Sequence, residues 1–184
     1  MRRLITAFAA LAVASPAAAE MKQVEPGHYL CAAPAGYAQN QDIVPLQVGE
    51  QLRLRVRLNK ENFDPRWTVS AAVEFEAKNG RRSVVIGKAR DEKAIDWAPH
   101  LFVALQTSGK EARKIVDRFP LTDDWVSVTL KMDAAGVVTV RSRNRTELLD
   151  LGGTQISKAL LHCHSGEFEM EISPQLYVLP ATAH

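Results

Sequence analysis

Past its first twenty residues, the chain has no apolar run that approaches the ~20 residues a bilayer-spanning helix needs. It has no glycine-rich phosphate loop, no CxxC pair and no serine–histidine–aspartate order. Nucleotide binding, zinc-finger and triad-hydrolase chemistry therefore have no starting point. No long helix is legible from a 3.6-residue apolar period. Aromatic residues make up only 7% of the chain, and there are two cysteines, Cys31 and Cys163.

A surplus of one charge is also missing, once the N-terminus is set aside. Arg2 and Arg3, the apolar stretch Leu4 to Ala14 and the small residues Ala17-Ala18-Ala19 follow the plan of a secretory signal peptide. Cleavage after Ala19 leaves 165 of the 184 residues, expected to form one β-sandwich domain over residues 20–184. Cleavage also removes two of the 23 basic residues, so 21 basic side chains face 21 acidic ones. A general nucleic-acid or anionic-membrane binder needs a basic surplus, so neither class of partner is expected, and nothing points to membrane insertion. The expected location is the bacterial periplasm or the medium outside the cell. In that oxidising setting two cysteines, one near each end of the domain, are expected to pair as a disulfide.

What the chain does have is alternation. In Trp125 to Arg143, Val126, Val128, Leu130 and Met132 alternate with Ser127, Thr129 and Lys131. Asp133-Ala134-Ala135-Gly136 supplies a tight turn, and Val138 and Val140 mark the returning strand. Gln51 to Leu58 alternates most cleanly, with Leu52, Leu54, Val56 and Leu58 on one face and Arg53, Arg55 and Arg57 on the other. Further strands are expected over 27–32, 67–77, 83–87, 101–106, 112–119, 147–151, 160–164 and 167–172. Asn79-Gly80 reads as a hairpin turn, residues 33–42 as a loop rich in Pro, Gly, Asn and Gln, and 88–96 as a charged loop with room for a helical turn. About ten such strands predict an all-β, two-sheet antiparallel jelly-roll sandwich with little or no helix.

The pattern Trp125-x-x-Val128-x-Leu130-x-x-Asp133-x-x-Gly136-x-Val138-x-Val140 resembles the strand pair of concanavalin A-like (laminin-G-like) jelly-roll domains, the lectin and glucanase superfamily. Gly166-x-Phe168-x-Met170-x-Ile172 is similar to their closing strand. The resemblance spans roughly residues 26–178 and implies a carbohydrate-associated fold, without transferring a specific activity.

Four groups of residues are candidates for chemistry. Glu167, Glu169 and Glu171 point the same way from one strand, and the strand resembles the Glu-x-Asp-x-Glu strand of laminarinase-type retaining glycosidases. That likeness implies Glu167 as nucleophile and Glu171 as general acid/base, with two carboxyl groups ~5 Å apart. The competing expectation is a ladder of cross-strand ion pairs with Arg53, Arg55 and Arg57, centred on Arg55 opposite Glu169. The same arginines suit an acidic glycan, through bidentate contacts to carboxylate or sulfate. His162 and His164 share one strand face at a spacing usable by zinc or copper, with Glu167 or His184 as conceivable third ligands; the set is incomplete and no metal or cofactor is expected. Trp97 lies in a loop and Trp125 falls in phase with Ser127 and Thr129, so these two are the candidate sugar-stacking residues, whereas Trp67 falls in the core phase. The leading expectation is a non-catalytic sandwich binding a glycan or cell-envelope polymer. A periplasmic structural or protein-interaction module, and a small retaining glycoside hydrolase, stand as alternatives.

Overall fold

The computed structural model describes residues 20–62, 66, 68–78, 80–89, 100–107, 114–120 and 125–175. The stretch 1–19, Trp67, Asn79, most of the loop 88–96, Trp97 and His184 lie outside the described residues.

Thirteen strands are described: β1 (Glu20–Glu25), β2 (His28–Ala32), β3 (Ala38–Ile43), β4 (Gln51–Glu61), β5 (Ser70–Ala77), β6 (Gly80–Ala89), β7 (His100–Thr107), β8 (Lys114–Pro120), β9 (Val126–Met132), β10 (Val137–Ser142), β11 (Arg145–Asp150), β12 (Ile156–His164) and β13 (Gly166–Gln175). Two of them were not expected. β1 lacks apolar alternation, and β3 runs through the stretch read as a loop. Asn40 and Asp42 of β3 face outward, while Gln39, Gln41 and Ile43 are only half-buried, so its sequence carries no apolar face to read. Both strands are edge strands, held by backbone pairing to β2 and β12. Lys88 and Ala89, assigned to a loop, instead end β6.

The strands form a seven-stranded antiparallel sheet in the order β1-β2-β13-β4-β9-β10-β11 and a six-stranded one in the order β3-β12-β5-β6-β7-β8. This is the all-β, two-sheet sandwich expected from the alternation, with no helix among the described residues. Leu54, Val56, Val128, Leu130, Phe168 and Met170 of the first sheet meet Val73, Phe75, Ile86, Val103 and Leu161 of the second in one continuous core. None of these is more than 2% exposed, and each such side chain contributes about 1.5–3 kcal/mol.

The β9–β10 hairpin closes as the sequence indicates. Oδ1 of Asp133 accepts hydrogen bonds from the backbone N–H of Ala135 and of Val137, both at 2.9 Å. Gly136 takes φ +79°, and a Cβ there would lie 2.2 Å from the Gly153 backbone, so glycine is required twice over.

The two sheets are joined directly where β12 turns into β13. Ser165 forms the corner at φ +48°, fully buried, with its polar atoms satisfied. Its N–H donates to Tyr37 O, its carbonyl accepts from Asn62 N–H, and its Oγ accepts from Gly36 N–H at 3.0 Å. A disulfide links Cys31 of β2 to Cys163 of β12, and so one sheet to the other, across 132 residues of sequence. At the opposite edge, Arg143 donates to both carboxylate oxygens of Asp117 and stacks 4.0 Å from the Phe119 ring, tying β8 to the β10–β11 turn.

A loop of this length makes the disulfide worth about 4–5 kcal/mol in the chain-entropy account. Oxidised protein denatured without reductant should take up no alkylating label by intact mass, whereas two labelled thiols would refute the pairing. Reduction should lower the urea midpoint by an amount matching that energy.

Candidate functional site

The outer face of the six-stranded sheet is a grid set by strand register. Across β12, β5, β6 and β7 its rows run Leu160–Glu74–Ser83–Gln106, His162–Ala72–Val85–Ala104 and His164–Ser70–Gly87–Phe102. The central columns carry small side chains, while imidazoles stand on β12 and charged groups stand on β5 and β6. Small residues flanked by taller ones make a depression, and a groove of about 430 Å³ lies there. Ala72 and Val85 line its floor and are buried together with Phe102 and Ala104 in a small apolar cluster outside the main core. Ser70, Ser83 and Gln106 add hydroxyl and amide groups to the lining, and Glu74, Arg66 and Arg81 add charge.

The imidazoles on the wall are neutral at pH 7. Burial, aided by the neighbouring His164, lowers His162 to about 4, and burial lowers His164 as well. Their ring centroids are 5.4 Å apart at a 48° tilt. Nδ1 of His162 lies 2.8 Å from Oδ1 of Asn40. A carboxamide oxygen only accepts, so Nδ1 carries the proton and Nε2 the lone pair. Arg81 stands 3.5 Å from Glu74 and 3.8 Å from Glu76, an exposed and loosely held set of ion pairs. The groove thus offers acceptors, donors and an apolar floor with little net charge.

The seven-stranded sheet carries Glu167, Glu169, Glu171, Arg53, Arg55, Arg57 and Trp125 on its outer face, away from this groove. Glu169 pairs with Arg57 and lies 2.9 Å from His28; Glu171 pairs with Arg55 at 2.5 Å and Glu167 with Lys60 at 2.8 Å. The ladder is present, but one rung off the expected register: Arg55 faces Glu171, and Arg53 faces Ser173 and donates to Ser127 Oγ. A bulge at Glu167/Phe168 brings Lys60, which lies beyond the arginine alternation, opposite Glu167. Each carboxylate suggested for glycoside hydrolysis is therefore engaged by a cation. Glu167 also lies on the other sheet from His162 and His164, so it does not complete a ligand set with them, and no group of three metal-binding side chains occurs among the described residues.

Trp125 is half-buried beside β9, with the guanidinium carbons of Arg55 and Arg57 at 4.6 and 5.1 Å from its ring centroid. Its stacking partners in this structure are those arginines. The apolar phase of β5 to β7 faces the core and carries no sign of the groove. The signal lay in the other phase, where Ser70, Ala72, Ser83, Val85, Gly87 and Ala104 are small rather than charged.

No family model matches the sequence, and no curated protein matches it. In fold the chain is similar to the carbohydrate-binding module CBM66 from Bacillus subtilis, with a TM-score of 0.50 at 7% identity over 84% of this chain and 89% of that one. Congerin II in a lactose- and MES-liganded structure gives 0.46 at 12% identity, over 76% and 100% of the two chains. Xenopus laevis galectin-Ib gives 0.45 at 10% identity, over 74% and 100%. At 7% identity the likeness to the carbohydrate-binding module is one of fold alone, an antiparallel β-sandwich.

Two measurements follow from these contacts. The Arg55→Gln/Glu171→Gln cycle should show a coupling of ~0.2–1 kcal/mol, while Arg55→Gln/Glu169→Gln should show less; the reverse order would refute the register. Because His162 titrates lower in the folded chain than its ordinary 6.5, the unfolded chain takes up the proton first. The stability this confers is complete above pH 6.5 and is lost as the pH falls through about 4. The urea midpoint should fall over that window, and His162→Gln should flatten the fall.

Proposed function

We propose that the chain is an exported, non-catalytic β-sandwich that binds a neutral carbohydrate in the groove of its six-stranded sheet. The observation that carries this reading is the groove itself. Its volume of about 430 Å³ lies in the ~300–1,000 Å³ range of small-molecule sites. An apolar floor ringed by hydroxyl, amide, imidazole and paired ionic groups suits a polyol, which presents C–H faces and many hydroxyls but no charge. The disulfide between the sheets fits an oxidising compartment, and the apolar N-terminal stretch fits export. The balanced charge of residues 20–184 removes a bulk electrostatic drive toward polyanions.

Trp125 serves in this reading as packing under the arginine ladder, where an exposed cation–π contact contributes ~0.5–1 kcal/mol. A sugar stacking on it would have to displace those guanidinium groups. Catalysis by Glu167 and Glu171 would require a carboxylate freed from its ion pair.

Residues 20–184 should retain neutral glycans on an array that includes lactose and β-glucan oligosaccharides. Ala72→Phe, which fills the groove floor from the solvent side, should weaken that retention at least tenfold with circular dichroism unchanged. Trp125→Ala should change it less than twofold. The opposite ranking would move the site to the seven-stranded sheet. Release of reducing sugar that Glu171→Gln abolishes would replace the reading with the hydrolase.

A further inference from the structure

We infer that His162 recognises the ligand as a hydrogen-bond acceptor, so that the groove holds its sugar at neutral pH and releases it in acid. The inference rests on the groove being the binding site, and it assigns a residue and a regulatory input that the groove's shape alone does not.

The geometry commits the ring. Asn40, on the edge strand β3, faces His162 across the β3–β12 ladder, and its Oδ1 accepts the hydrogen bond from Nδ1–H. The remaining nitrogen, Nε2, is then an acceptor on a side chain that lines the groove. A ligand hydroxyl can donate to that lone pair. Fixing the tautomer from behind is the arrangement that gives a neutral imidazole one defined role.

The surroundings oppose an imidazolium. On its own strand His162 has His164 beside it, at 5.4 Å between rings. From β3 come the carboxamide of Asn40 and the carboxylate of Asp42, the latter 3.1 Å from the Lys158 ammonium. From β5 the residue opposite is Ala72; the carboxylate on that strand within the groove is Glu74, already beside Arg81 of β6. Arg66 adds a further cation to the lining. A proton on Nε2 would thus find no carboxylate of its own among the described residues, and it would turn the acceptor into a donor facing the ligand hydroxyl. The low titration point of His162, about 4, agrees with this arrangement. Ligand and proton then compete for one lone pair, and each should weaken the other by the same factor.

The experiment measures affinity of residues 20–184 for the neutral glycan retained at pH 7.5, lactose and β-glucan oligosaccharides being tried first. Titration calorimetry runs from pH 7.5 to 3.5, with circular dichroism in each buffer. Affinity should be flat to about pH 5, halve near the His162 midpoint and fall about fourfold by pH 3.5. Saturating glycan should lower that midpoint, read from the imidazole Cε1–H resonance in the buffers where circular dichroism shows the fold intact. His162→Gln, which keeps an acceptor at every pH, should bind with the acid fall removed. His162→Leu should lose at least tenfold at pH 7.5, and His164→Gln should keep the acid fall. Glycan binding that is independent of pH, with an unmoved His162 midpoint, overturns the inference while leaving the groove reading standing. Absence of glycan binding at every pH overturns the groove reading itself.

Discussion

The corner at Ser165 is the constraint on which the arrangement of both surfaces depends. β12 and β13 are inner strands of different sheets, and a single residue separates them. A strand that changes sheets so abruptly must bury its turning peptide, and a buried peptide must have its polar groups met. Ser165 meets this with a left-handed backbone and three hydrogen bonds to segments around residues 36, 37 and 62. The neighbouring disulfide pins the same junction covalently, from Cys163 to the strand beside β13.

Parity then does the rest. Counting back from the corner, Cys163 points into the core, and His162 and His164 point out from the six-stranded sheet. Counting forward, Phe168 and Met170 point in, and Glu167, Glu169 and Glu171 point out from the seven-stranded sheet. Imidazoles and carboxylates that are neighbours in sequence thereby end on opposite faces of the sandwich. The corner is what separates a wall of the groove from a charged ladder.

The two outer faces are built on different physics. On the seven-stranded sheet, long charged side chains lie across neighbouring strands and satisfy one another, with Trp125 under two guanidiniums. Such a face is largely self-complementary, and its exposed pairs contribute little energy each. On the six-stranded sheet, small residues leave an apolar floor below the level of their neighbours. Polar groups there stand at the rim of a depression, with room for a molecule between them.

Much of the fold was legible because a strand buried on one face must alternate. Leu52, Leu54 and Val56, Val126 to Met132, and Phe168 with Met170 declared both their strands and the sides facing the core. The turn at Asp133–Gly136 was equally readable, since its side-chain acceptor and its glycine act locally. The edge strand β3 was not, because two of its three half-buried residues, Gln39 and Gln41, are polar and its order comes from pairing with β12. The pairing of Arg55 with Glu171 rather than Glu169 was also out of reach, since alternation fixes which side chains share a face but not how far one strand slides along another. The groove belongs with these: it depends on small residues from three strands and imidazoles from a fourth arriving in the same rows. Local periodicity is a property of one segment and is written in the sequence. Register and the meeting of segments distant in sequence depend on packing and pairing between strands, so only the tertiary structure decides them.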